Sequence, residues 1–290
     1  MSTPTGTTVH TLAVESATIG YDERVVVHDM TLEVPTGKIT TIVGANACGK
    51  STLLRAMARL LKVKAGRVLL DGTPIDDLPS RQVATVLGLL PQTPVSPEGI
   101  AVADLVGRGR YPHQGWFRRW TADDDAAVEE ALVATDTLDL ADRPVDELSG
   151  GQRQRVWIAM ALAQQTDVLL LDEPTTFLDV AHQVEVLDLL TDLNRTRGTT
   201  IVMVLHDLNL AARYTDHLVA LREGRLVAQG RPVDVVTPEL VQEVFRMASQ
   251  VVPDPVSGTP LVVPVGRHHS SDGTRRTSTL ATSDAAYQTL

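Results

Sequence analysis

The 290-residue sequence predicts an α/β fold. A mostly parallel sheet is covered by helices on both faces, with an antiparallel β subdomain ahead of it and a helical subdomain inserted within it. Three observations carry this expectation. The runs 38–43, 168–171 and 200–205 are near-continuously aliphatic or β-branched, as strands buried on both faces require. Helical stretches alternate with those runs, the pattern of a parallel sheet with crossover helices. Between the first run and its helix stands Gly44-Ala45-Asn46-Ala47-Cys48-Gly49-Lys50-Ser51, a G-x4-G-K-S phosphate-binding loop in its expected strand-to-helix setting.

The elements follow in order. Residues 11–14, 25–28 and 30–34 read as short strands separated by turns, and 38–43 as the strand entering the loop. Residues 50–61 contain no Gly or Pro and read as a helix. A strand at 67–70 closes on the Asp71-Gly72 turn, and 86–90 leads to Pro91-Gln92. From 93 to about 147 the chain is Pro-punctuated and then helical, clearest at 123–132, which reads as an insertion between two halves of the sheet. Helix 150–163, strand 168–171, helix 180–193, strand 200–205, helix 208–214 and a hairpin of 218–221 with 225–228 complete the pattern. Residues 268–290 are Ser/Thr-rich with few apolar positions and read as a disordered tail.

Composition excludes several classes. A net charge of −10 argues against a general basic surface for nucleic acid or anionic lipid. The single cysteine, Cys48, excludes an intrachain disulfide framework and fits a reducing cytosol. The first twelve residues lack a charged-then-apolar signal pattern. The longest apolar runs are far below the roughly 18 residues needed to cross a bilayer, so a membrane role implies a partner.

In a phosphate-binding loop the glycines let successive N–H groups point at phosphate oxygens, and the following helix adds the positive end of its dipole. Lys50 is placed to reach the β- and γ-phosphates of ATP and Ser51 to ligate Mg²⁺, with Thr52 next in the helix. Asp172 and Glu173 follow a buried strand, where ligands sit in open α/β sheets. Asp172 suits the Mg²⁺ shell. Glu173 suits polarising the attacking water, since phosphoryl transfer needs alignment and charge stabilisation above all. A bland alternative is an Asp-Glu pair capping the next helix. His206 follows the strand 200–205 in the same way and can donate to a γ-phosphate; taken alone it reads as an ordinary helix start. Ser149 reads as a helix N-cap with Gly150, Gly151 and Gln152 behind it, a second anion-binding end. A chain whose loop already holds its own phosphates can use that end on the ATP of a second copy.

Together these segments resemble the ATP-binding subunit of ATP-binding cassette (ABC) transporters, over roughly residues 9–250. The resemblance implies a RecA-like P-loop NTPase core, with the helical subdomain at about 93–158 and a C-terminal extension and tail over 251–290. It implies that Tyr21 stacks on adenine and that Gln92 senses Mg²⁺ and the γ-phosphate. It further implies that Asp179 couples the two sites across a dimer and that Leu148-Ser149-Gly150-Gly151-Gln152 is the signature motif. Ala45 and Ala47 depart from the family's usual proline and glycine. A positive φ at Ala47 would cost about 1 kcal/mol.

A narrower resemblance, to the ATPases of ferric-siderophore importers, rests on three segments. They are Arg108-Gly109-Arg110-Tyr111-Pro112-His113, Thr175-Thr176-Phe177-Leu178-Asp179-Val180-Ala181-His182-Gln183 and His206-Asp207-Leu208-Asn209-Leu210-Ala211. Haem, vitamin B12 and metal importers are alternatives. This implies a homodimer on ATP at the cytoplasmic face of the membrane, bound to separate permease subunits and served indirectly by an extracytoplasmic substrate-binding protein. No nucleic acid partner is expected. Four of the chain's ten aromatic residues, Tyr111, Trp116, Phe117 and Trp120, lie within ten positions and are interleaved with Arg110, Arg118 and Arg119. They suit either a permease-docking surface or the insertion's own core. Soluble ABC ATPases of DNA repair carry a long coiled coil where this chain has a compact insertion, and those of translation usually carry two cassettes. A P-loop kinase or GTPase has no use for the LSGGQ segment.

Overall fold

Period-two alternation in the aliphatic strands sets the layers of the fold. The structure is a computed structural model and describes residues 10–92, 94–114 and 120–266. The chain opens with β1 (Leu12–Tyr21), β2 (Arg24–Val34), β3 (Ile39–Gly44), α1 (Lys50–Met57), β4 (Ala65–Leu70), β5 (Thr73–Pro74), α2 (Ser80–Val86) and β6 (Leu87–Leu90). The inserted part holds α3 (Val102–Gly107), a 3-10 segment Arg108–His113, α4 (Ala122–Ala134) and α5 (Gly150–Ala163). The core resumes with β7 (Val168–Asp172), α6 (Val180–Arg197), β8 (Thr200–Val204), α7 (Leu208–Tyr214) and the hairpin β9 (His217–Arg222) with β10 (Arg225–Gly230). Short helices α8 (Pro232–Val235) and α9 (Pro238–Phe245) precede a last hairpin of β11 (Ser249–Pro253) with β12 (Pro260–Pro264).

Six strands form the central sheet in the order β10-β9-β3-β8-β7-β6, and four form the sheet β2-β1-β4-β5. In the six-stranded sheet every pairing is parallel except β9 with β10. β3, β7 and β8 are buried at every residue. Their alternate side chains feed two separate cores. Leu169, Leu171, Ile201 and Met203 pack with α5, α6 and α9, while Val168, Leu170, Val202 and Val204 pack with α1 and the antiparallel sheet. Each such side chain contributes about 1.5–3 kcal/mol of burial free energy, so the sheet is gripped from both faces.

Several boundaries differ from the sequence expectation, each for a local reason. The three short strands before residue 35 are two long ones, with register shifts that break the alternation and Ser16 and Asp29 at φ 44. α1 stops at Met57, four residues short of 61, because Arg59 turns to φ 59 and donates to the carbonyls of Leu78 and Asp76. α6 continues past 193 to Arg197, where Gly198 at φ 71 supplies the left-handed cap. The boundary placed at residue 250 falls inside β11. The tail at 268–290 and residues Trp116, Phe117, Arg118 and Arg119 lie outside the described residues.

A buried ion pair holds the inserted helices together. Arg110 Nε donates to Asp124 Oδ1 at 2.9 Å, and its Nη1 donates to Ala163 O at 2.8 Å and Gln165 Oε1 at 3.0 Å. Burial alone would raise the Asp124 carboxyl, yet hydrogen bonds from Arg110 and Thr121 hold it below the usual carboxylate range. The same carboxylate closes the capping box of α4 with Thr121. Gly109 is required beside it, since a Cβ there would lie 2.3 Å from Met160 O on α5. Replacing Asp124 with Ala strands the Arg110 charge in the interior and is expected to cost about 3–5 kcal/mol, read from urea unfolding. A loss below about 1 kcal/mol, the range of an exposed pair, would contradict this account.

Candidate active site

The phosphate-binding loop begins where β3 ends. Gly44 takes φ 155, and a Cβ on it would meet Leu221 O at 2.3 Å and Cys48 Sγ at 2.7 Å, so only glycine passes between β9 and the loop. Gly49, at φ 105, stands at the N-cap of α1 without any side-chain cap bond. The first N–H groups of α1 thus remain available for an anion. Ala47 sits at φ 60, the left-handed conformation in which alanine is strained. The buried Lys50 ammonium donates to the carbonyls of Gly44 and Ala45, both at 3.0 Å, and so spans the loop. Burial pushes the Cys48 thiol up, which keeps it protonated and chemically quiet.

Four parallel strands deliver the polar groups to this loop. Ser51 Oγ donates to Asp172 Oδ1 at 2.8 Å. Burial raises the Asp172 pKa, and the charge of Glu173 raises it further against the hydrogen bond from Ser51. Glu173 is itself buried and takes φ 57, an uncommon conformation for a non-glycine residue. Three side chains hold it. Gln92 Nε2 donates to Oε2 at 2.7 Å, Thr176 Oγ1 donates to Oε2 at 3.2 Å, and His206 Nε2 lies 2.6 Å from Oε1. Tyr21, at the end of β1, is 41% exposed with its hydroxyl accepting from Arg55 Nη1 at 3.2 Å, which leaves its ring open to a flat partner.

A second group gathers at the start of α5. Ser149 Oγ accepts from Gln152 N at 3.2 Å and Ser149 N donates to Gln152 Oε1 at 3.1 Å, a reciprocal capping box. Gly150 and Gly151 lie against Phe177 and Leu178, where a Cβ would make ordinary contacts at 3.9 and 3.4 Å. Asp179 caps α6 through His182 N at 3.0 Å, and its Oδ1 is 2.7 Å from His182 Nδ1. The structure therefore assembles Lys50, Ser51, Gln92, Asp172, Glu173 and His206 around one loop, and Ser149–Gln152 and Asp179 around another. Thr176 and Arg55, which hold Glu173 and Tyr21, escaped the sequence reading; the spacing of Thr176 three residues after Glu173 is the one local signal for it.

The donors present fit a nucleotide with a hard divalent cation. One hydroxyl and one buried carboxylate, Ser51 and Asp172, are what Mg²⁺ takes from a protein when phosphates and water complete its shell. The Asp172 pKa is raised first by burial and then by Glu173, in spite of the charges of Arg55 and Lys50, and a bound cation would favour its ionised form. Among the described residues no group of three or more His, Cys, Asp or Glu forms a self-contained metal cage. Nor is any helix among them long and apolar enough to cross a membrane.

Comparison with known proteins agrees with this geometry. The ABC transporter family model matches residues 27–176. The chain is similar to the ferric enterobactin transport ATP-binding protein FepC of Escherichia coli (strain K12), 53% identical over 253 residues, covering 87% of this chain and 93% of FepC. It is 52% identical to the petrobactin import ATP-binding protein FpuD of Bacillus anthracis, covering 88% of this chain and 94% of FpuD. Among solved structures it superposes on the dimeric bacterial ABC transporter cassette MJ0796 with a TM-score of 0.69 at 26% identity, covering 76% of this chain and 98% of that one. With its P-loop, its strand-end carboxylates and its LSGGQ helix start in place, the chain belongs to the ABC transporter family as one of its ATP-binding, ATP-hydrolysing subunits.

Proposed function

We propose that this chain is the ATPase that energises import of an iron–siderophore complex through separate permease subunits, working as a homodimer at the cytoplasmic face of the membrane. The observation that carries the reading is the Glu173 cluster beside the phosphate-binding loop, in a chain more than half identical to ATP-binding proteins of enterobactin and petrobactin systems. Residues 44–52 cradle the phosphates, Lys50 exchanging its two carbonyl partners for phosphate oxygens, and Tyr21 stacks on the base. Ser51, Asp172 and Gln92 hold Mg²⁺, which supplies charge neutralisation at the phosphates when bound. Glu173 orients and polarises the attacking water, and His206 turns from Glu173 toward the γ-phosphate. Ser149–Gln152 of one copy close over the phosphates held by the other, with Asp179 reporting between the two sites.

Permease contact is assigned to the inserted part. Tyr111, 59% exposed, and Trp120, 45% exposed, line a groove of about 640 Å³ with Arg108, Gln114 and Asp104. Exposed rings beside an arginine suit an anchor site for a cytoplasmic loop of the permease.

Three outcomes test the reading. Glu173→Gln is expected to bind ATP normally, slow hydrolysis by about 10²- to 10⁴-fold and accumulate as a dimer by size exclusion; ordinary turnover would remove Glu173 from its role. Lys50→Ala is expected to weaken ATP binding by about ten- to a hundredfold in a direct titration. Iron-starved cells lacking the gene are expected to lose uptake of labelled ferric siderophore, and undiminished uptake, with haem uptake lost instead, would reassign the cargo.

A further inference from the structure

The hairpin β11–β12 lies outside the residues matched by the family model, and none of the roles above uses it. It grips α7 at both ends. In the first turn, Asn209 Nδ2 donates to Val262 O at 3.2 Å and Asn209 Oδ1 accepts from Val262 N at 2.7 Å. One side-chain amide thus satisfies both backbone groups of a β12 residue, as a neighbouring strand would. In the last turn, Arg213 Nη2 donates to Asp254 Oδ2 at 2.5 Å. Asp254 is buried and also accepts from Val256 N and Ser257 N, which fastens the hairpin's own turn to the ion pair. The hydrogen bond from Arg213 lowers its carboxyl to about 2, so the contact persists through the physiological range.

α7 has seven residues, too few to be stable by itself, and buries only Ala211 and Ala212. Its cap is Asp207, whose Oδ1 accepts from Asn209 N at 2.8 Å and Leu210 N at 2.9 Å. His206 is the residue before that cap. The placement of the imidazole against Glu173 therefore depends on what fixes α7 as well as on the end of β8. Tyr214 ties α7 to Asp188 of α6 by one bond, and the hairpin holds it by side-chain bonds in both its first and last turns.

We propose that the C-terminal hairpin positions His206 through α7, with Asn209 as the positioning residue. This rests on the reading of His206 as a group that acts in hydrolysis. The test is a double-mutant cycle on the purified full chain with Asn209→Ala, His206→Ala and the pair. Asn209→Ala is expected to lower kcat by about tenfold while KM for ATP moves less than about twofold, the signature of misplaced chemistry with binding intact. On the His206→Ala background the same change is expected to do nothing further, since the two act along one path. Equal losses on both backgrounds, or unchanged kcat in Asn209→Ala, would overturn the inference while leaving His206 its role. An unaffected kcat in His206→Ala would remove that role and the inference together. If Asn209→Ala does not fold, Asn209→Asp keeps the acceptor for Val262 N and loses the donor. It is expected to show an intermediate kcat and faster hydrogen exchange across β11–β12, and wild-type kcat with that faster exchange would equally overturn the proposal.

Discussion

Leu90 lies beside Leu171, Asp172 beside Val204, and Val204 beside Ile42, so four parallel strands end on one edge of the sheet. The central site is built at that edge, with Lys50 and Ser51 supplied by the start of α1. Gly44 closes β3 and Asp172 closes β7, while Gln92 and His206 each stand two residues past the ends of β6 and β8. The register that aligns them is enforced by the two aliphatic cores. A slip of one residue in β7 would exchange Leu169 and Leu171 with Leu170 and Val168 across the sheet and withdraw Asp172 from Ser51. Packing far from the nucleotide thus sets the geometry at it.

Some of the chain's strained backbone and a raised carboxyl pKa also lie at or beside this edge. Ala47, Glu173 and Phe177 all take left-handed backbone at φ 60, 57 and 67, each at a cost of about 1–2 kcal/mol. Glu173 is kept there by Gln92, Thr176 and His206 together, so its strain is balanced by side chains that also aim its carboxylate. Next to it the buried Asp172 has its pKa raised, while the one buried ammonium, Lys50, is committed to backbone carbonyls. Desolvation of Asp172 thus outweighs the nearby charges of Arg55 and Lys50, and on the proposed reading a bound cation would relieve it.

How much of this the sequence discloses depends on the range of each interaction. The loop 44–51, the strand-end pair Asp172-Glu173 and the capped helix at Ser149 are legible because each is a local pattern with a local cause. The spans of α5 and α7 follow from periodicity and caps and agree with the structure residue for residue. The roles of the narrower motif letters are not legible. Arg110 meets Asp124 and Ala163, and Asn209 meets Val262, across 14, 53 and 53 residues. Gln92 reaches Glu173 across 81. A one-dimensional pattern carries no distance between such partners. The bends in β1 and β2 were hidden for a different reason: Ser16 and Asp29 adopt a conformation that their residue types allow without demanding.

Within one chain the two loops are mechanically joined. Gln154, on the buried side of α5, donates through Nε2 to Pro174 O at 2.9 Å, the residue immediately after Glu173. Leu178 packs under Gly151, and Asp179 opens α6 directly beyond it. A displacement of the α5 N-terminus therefore pulls on the segment that holds Glu173 in its strained conformation. On the proposed reading, Ser149–Gln152 meet the nucleotide of a second copy. Engagement there would then reach Glu173 through the Gln154–Pro174 bond and the Gly151–Leu178 contact. Such a path would tie hydrolysis in one copy to engagement of the other's nucleotide.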